Sequence, residues 1–470
     1  MKYVLLCLWA FLSTLGTLRA QVIHFEKDSL NQVFAKAERQ GKPLFLLFAP
    51  PPPPANLPAA LKAARTKSGL YAPAVADKLN QAFLSKELPF GTAEMGQAAR
   101  RYNVTSYPTY LYFSPDGNLL YRRLGNASEA AVYLKDIEAA QQAQQDSRNL
   151  SHLATEYRQG RRDAQLLKQY VVKLRALRLP VPPAVLDAYA GQLPAQALYQ
   201  PAEVLFILEN GPVVGSQAFQ LSHLSQKLID SLYRVLPLSQ RMAFNSLIIS
   251  NTMSQATAAK DRGLAEKGAG FARSTWGSNY VQGARIYERD MLTFYQSIKD
   301  TAAYLRQAVP YYERYYLNLP ADSVKKALEA LRVFRQRQPV LLQRLDSAAR
   351  RQAARQLPPA TATVTTGRPV AVGGPPASFL QELNNGAWAI YQTGTRNKNY
   401  LWHAAMWSKR TVELDPSAYN NDTLAHLLYR LGLYAEAETR QQAAIKLARQ
   451  DNAAAGPYQQ ELEKMRKRSL

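Results

Sequence analysis

Few residues in this chain are of a type that could make or break bonds. Its 470 residues hold a single cysteine, Cys7, and five scattered histidines, His24, His152, His223, His403 and His426. None of these histidines stands in an HExxH, and the chain has neither a GxSxG elbow nor a phosphate-binding glycine loop. One thiol allows no intrachain disulfide, no CxxC redox pair and no multi-thiolate zinc site. The acids Asp261 and Glu266 lie beside Lys260 and Arg262, the pattern of a solvated charged face rather than of a general acid and base. No catalytic residue, metal ligand or cofactor is assigned. The groups left are ones that bind. Five consecutive prolines, Pro50 to Pro54, form either a stiff polyproline II surface that an aromatic groove could grip or a plain structural loop. Tyr304, Tyr311, Tyr312, Tyr315 and Tyr316, with Arg306 and Arg314 close by, read either as helix packing or as a grip for a sugar or anionic chain.

The rest of the chain is ordinary globular material, 47% apolar and 20% charged, long enough for two to four domains at about 100 to 200 residues each. Lys2, the apolar run from Tyr3 to Leu12 and the small residues ending at Ala20 form the three-part pattern of a secretory signal peptide over residues 1–20. Cleavage there removes Cys7, leaves no membrane-length apolar run, and places the mature chain in the periplasm or cell envelope. The formal charge of +23 is spread along the chain rather than gathered on one stripe, which argues against a nucleic-acid partner. It fits a basic surface facing anionic envelope polymers.

Residues 21–145 read as strand, helix, strand, a proline break, helix, strand, helix, two strands and a final helix, hence a mixed α/β sheet. Leu30–Gln40 has helical spacing and ends at Gly41-Lys42-Pro43; Leu44–Phe48 is a continuous apolar run expected as a buried strand. Tyr110–Phe113 and Leu119–Arg123 flank the turn 114–118 as a hairpin. The buried strand ending at Phe48, the stretch RRYNVTSYPTYLYFSPDGNLLYRRLG from Arg100 to Gly125, and the helix near 130–140 resemble the thioredoxin-like family. The resemblance implies a cis Pro108 beside the family's redox site, with Tyr107, Pro108 and Thr109 lining a binding groove. The departure is as informative. Where the family has a tryptophan and Cys-x-x-Cys, this chain reads Phe48-Ala49-Pro50 to Pro54, and Leu47 replaces the family's buried acid. Thiol exchange needs a thiolate and a resolving thiol, so the domain is expected to be redox-inactive. The binding residues assigned are Tyr107, Pro108, Thr109, Pro52, Pro53 and Pro54.

Helical periodicity takes over in 146–355, read as an array of helical hairpins broken at Gly160, Pro180–Pro183 and Pro194. A Pro/Thr/Gly linker is expected over 356–378. In 379–470, Trp388, Ala404, Leu414, Asp415 and Pro416, then Leu424, Gly432, Tyr434, Ala437, Ala444 and Ile445, resemble two tetratricopeptide repeats, with Tyr458–Lys467 as a cap. That resemblance implies a surface for peptides or proteins.

The expected fold class is thus multidomain: an α/β thioredoxin-like N-terminal domain, an all-α helical-hairpin region, and tetratricopeptide-like C-terminal helices. The whole resembles multidomain thioredoxin-family proteins of the bacterial envelope. The expected function is an exported, redox-inactive binding or scaffold protein with a protein or peptide partner. Two other readings stand: a thiol-disulfide oxidoreductase, requiring that Cys7 be kept or a partner bring the thiols, and a basic module for anionic envelope polysaccharide.

Overall fold

The computed structural model describes residues 22–53, 67–334, 336, 378–451 and 453–470. The expected signal peptide, Pro54 and residues 356–377 of the expected linker lie outside them. The chain forms two compact units, one up to residue 235 and one from 236 onward.

The first unit is organised by β1 (Leu44–Phe48), every residue of which is buried. Alternate side chains of a strand face opposite ways, so an unbroken apolar run requires cover on both faces. Leu44, Leu46 and Phe48 pack with Val33 and Ala37 of α1 (Leu30–Gln40), together with Met95, Leu111 and Phe113. Phe45 and Leu47 pack with Val75 and Leu79 of α2 (Pro73–Ala82), and with Tyr110, Tyr133 and Ile137. The sheet has the order β2-β1-β3-β4, with β2 at Leu84–Leu88, β3 at Thr109–Phe113 and β4 at Leu119–Leu124. β1 runs parallel to β2 and antiparallel to β3. α3 (Ala93–Arg101) joins the first face and α4 (Ala130–Gln145) the second. The strand expected ahead of α1 shrinks to a single parallel bridge, Phe25 to Ser85.

Short helices follow: α5 (Leu150–Arg158), α6 (Ala164–Ala176), α7 (Pro183–Gln192), α8 (Pro201–Glu209), α9 (Gln217–Ser222) and α10 (Gln226–Val235). Leu150, Leu174 and Leu177 enter the core on the first face of the sheet, while Leu167, Val171, Leu186, Tyr189 and Ile207 form a helical core of their own. Glu203 clips three of these helices together. Its carboxylate takes a hydrogen bond from Lys168 Nζ at 2.6 Å and another from the Tyr189 hydroxyl.

The second unit is helical. α11 (Leu238–Ala259), α12 (Arg262–Ser274), α13 (Tyr280–Ile298) and α14 (Thr301–Tyr312) pack in sequence, and a π-helical turn, Glu313–Leu317, follows Pro310. After a helical stretch over 321–334 come α15 (Ser378–Gln392), α16 (Lys398–Leu414), α17 (Ala418–Arg430), α18 (Tyr434–Gln450) and α19 (Gly456–Arg466). Met291, Phe294, Tyr304 and Tyr311 share one core with Leu383, Ala387 and Trp407. Close approach here depends on Gly386, where an added Cβ would stand 2.5 Å from two Tyr312 ring carbons. Gly432, at φ +87°, makes the turn between α17 and α18. No described helix is long and apolar enough to cross a membrane.

Two stability predictions follow from these contacts. Burial alone would raise the Glu203 carboxyl pKa, but the hydrogen bonds from Lys168 and Tyr189 outweigh it and hold the pKa below the ordinary value. A depressed acid stabilises the fold above its unfolded pKa, about 4.3, and that contribution fades as pH falls through the lower folded value. Glu203→Ala should therefore lower the thermal midpoint at pH 7 by about 2 to 4 °C, and the gap from the unmodified protein should close in melts below pH 4 or so. Gly386→Ala overfills a packed contact and should cost about 1 to 3 kcal/mol, read from denaturant melts.

Candidate functional site

The strand register gathers one set of loops at the carboxyl end of β1. Phe48 is paired with Leu88 on one side and Thr109 on the other. The next residues are Ala49, Pro89 and Pro108, and the Ala49 N–H donates to the Leu88 carbonyl at 3.1 Å. Pro50, Pro89 and Pro108 therefore stand at the same end of the sheet. The Tyr107–Pro108 peptide bond is cis.

Of the six assigned binding residues, the structure brings Tyr107, Pro108 and Thr109 together here. Thr109 is fully buried, so it braces the loop instead of meeting a ligand; its Oγ1 donates to the Ser106 carbonyl at 2.7 Å. The Pro108 carbonyl is occupied by the Gly125 N–H at 2.9 Å. Tyr107 and Pro108 are half-buried, Pro52 is exposed, Pro53 is half-buried, and Pro54 lies outside the described residues.

Sequence reasoning missed Phe90. Its ring is 46% exposed and meets Tyr107 edge-on, with centroids 5.5 Å apart and planes at 87°. The signal was available: a phenylalanine between Pro89 and Gly91 sits in a turn, where a large apolar side chain has little chance of burial. Phe90 and Tyr107 put a pair of aromatic rings among prolines, a surface suited to apolar side chains and extended backbone.

The tyrosine cluster resolves differently. Tyr304, Tyr311 and Tyr316 are buried in the core of the second unit, Tyr312 packs on Trp407 with ring centroids at 5.0 Å, and Tyr315 is edge-on to Tyr311. These rings are used in packing helices, not held out for a sugar. Asp261 caps α12, accepting from the Leu264 N–H at 3.0 Å, and Glu266 pairs with Arg262 at 2.8 Å.

One histidine has more partners than its scattered place in sequence implied. His426 is buried in α17, with Nδ1 2.8 Å from the Asp422 carbonyl and Nε2 3.3 Å from the Glu461 carboxylate of α19. The rings of Trp388 and Tyr391 meet it at close to right angles. Gln441 of α18 donates to the Asp422 carboxylate at 2.7 Å and to the Tyr458 carbonyl at 3.1 Å. Burial pushes the Asp422 carboxyl pKa up; burial acts the same way on Glu461, but hydrogen bonds from Lys464 and His426 hold it below the ordinary range. This network ties α17, α18 and α19 to one another. Among the described residues no group of three His, Cys, Asp or Glu is placed to hold a metal ion.

No family model matches the chain, and no curated protein matches it. Among solved structures, one described as "DsbH Oxidoreductase" matches at 16% identity, covering 27% of this chain and 90% of its own, with a TM-score of 0.22. At that score the likeness carries no argument.

Thr109→Val keeps the shape of the residue and removes the hydroxyl, leaving the Ser106 carbonyl short of a donor. A loss of about 1 kcal/mol in denaturant melts is the expected result, with the Phe90–Tyr107 ring contact unchanged.

Proposed function

We propose that this protein is an exported, redox-inactive polypeptide-binding or scaffold protein, with a thioredoxin-like N-terminal sheet and tetratricopeptide-like C-terminal helices. The observation that carries the reading is exposed Phe90 edge-on to half-buried Tyr107 among Pro50, Pro89 and Pro108, at the end of a strand where thiol chemistry would need cysteines. Between residues 21 and 470 the chain encodes no cysteine. A surface of rings and prolines holds apolar segments of an extended chain, and it offers no thiolate to attack a disulfide. The element order of 21–145 and the stacked helix pairs of 378–450 support the two resemblances. The signal pattern of residues 1–20 supports export.

The purified protein should leave insulin disulfides intact over a time in which a dithiol oxidoreductase reduces them. It should bind an unfolded, carboxymethylated test protein, and Phe90→Ser combined with Tyr107→Ala should weaken that binding by about tenfold. Reduction at an oxidoreductase's rate would sink the proposal, and so would binding that ignores both substitutions. Intact mass of protein recovered from the envelope tests export; the expected mass is that of a chain beginning at Gln21.

A further inference from the structure

A second surface lies in the helical unit, along the two pairs α15–α16 and α17–α18. A hollow of about 470 Å³ separates the second helices of these pairs, α16 and α18. An adjoining hollow of about 380 Å³ continues it along α18 through Lys446 and Gln450. The cations lining this groove are Lys409, Arg440, Lys446 and Arg449. Glu413 is the only acid among the lining residues, and it is engaged by Lys409 at 3.8 Å. Among the described residues no carboxylate lies within ion-pair distance of Arg440, Lys446 or Arg449.

The main hollow has apolar walls: half-buried Ala443 and Leu447 and exposed Pro416 stand over buried Val412. Exposed Gln450 adds a carboxamide able to both donate to and accept from a peptide backbone, while Asn421 is buried and donates to the Ser417 carbonyl at 2.9 Å. A bare polyanion needs only the cations. The mixture of cations, an exposed carboxamide and apolar walls fits a peptide whose acidic side chains alternate with apolar ones.

This chain does not supply that occupant from its neighbouring segment: residues 337–377 carry six arginines and one acid, Asp346. Like charges would repel it from the groove. From Arg440 to Lys446, which line the same hollow, the cations extend about 9 Å along the helix at about 1.5 Å per residue, which about three extended residues would span, and Arg449 lies farther round α18 on the adjoining hollow.

We infer that the groove between α16 and α18 binds an acidic, apolar-interrupted segment of a partner polypeptide. The surface is separate from the Phe90–Tyr107 rings, so it stands or falls without them.

The test uses the full chain and a fluorescein-labelled peptide of alternating Glu and Leu, followed by anisotropy at low and moderate salt. Binding is expected to be at least about tenfold weaker in the double variant Arg440→Glu, Lys446→Glu, and to be unchanged in Lys135→Glu, an exposed cation of the first unit. The milder pair Arg440→Gln, Lys446→Gln should show the same loss in smaller measure, with melting curves recording that each variant is folded. Phe90→Ser should bind the acidic peptide as the unmodified protein does. Three outcomes overturn the inference: full binding by the charge-reversed variant, an equal loss in Lys135→Glu, or equal binding of a Glu/Ser peptide, which would mark a polyanion surface only.

Discussion

Five consecutive large apolar residues in β1 can be dry only if the strand has a covered face on each side. Much of the first unit follows from that demand. α1 and α3 close one face, α2 and α4 close the other, and neighbours on both edges satisfy the backbone of β1. A strand so enclosed exposes nothing along its length and can offer a surface only at its ends. The loops at its carboxyl end are therefore where rings and prolines become accessible, and they are held there by a register fixed over all five residues.

The second unit depends on a different constraint, the distance at which helices can pass. Gly386 brings the backbone of α15 against the Tyr312 ring, and Trp407 lies on that ring's neighbourhood from α16. Fully buried Ala404, Ala437 and Ala444 allow similar closeness in the helix pairs that follow. Large aromatic residues then fill what the small ones leave open. The tyrosines of 304–316 belong to this packing, which is why so many occur together without forming a ligand grip.

What could be read beforehand was whatever repeats with a short period. The helix Leu30–Gln40 and the buried strand Leu44–Phe48 have the expected limits, and the hairpin turn at 114–118 lies where Pro115, Asp116 and Gly117 put it. The mixed sheet followed by helices was legible on the same grounds. Features that depend on residues far apart were not. Phe90 and Tyr107 are separated by 17 positions and meet only because β2 and β3 flank β1. His426 and Glu461 meet across α17 and α19, with no periodicity to connect them. The cationic groove likewise needs two helices from different pairs, and in sequence its members are diluted among many other lysines and arginines. Thr109 shows the same limit: its place next to Pro108 is plain in the sequence, but its burial comes from the sheet and not from its own local pattern.

Pro50, Pro89 and Pro108 share one further property. None has a backbone N–H, so at this rim of the sheet three crossing segments each lack a donor where a bound chain would otherwise find one. A guest there cannot be locked into a ladder of main-chain hydrogen bonds by these residues, and its position along its own sequence is left unspecified by them. Recognition through rings and pyrrolidine faces alone is indifferent to register, so a segment could slide by a residue or two at little cost. The rim would thus select for apolar content over any particular order of residues, and its occupancy would be brief and easily exchanged.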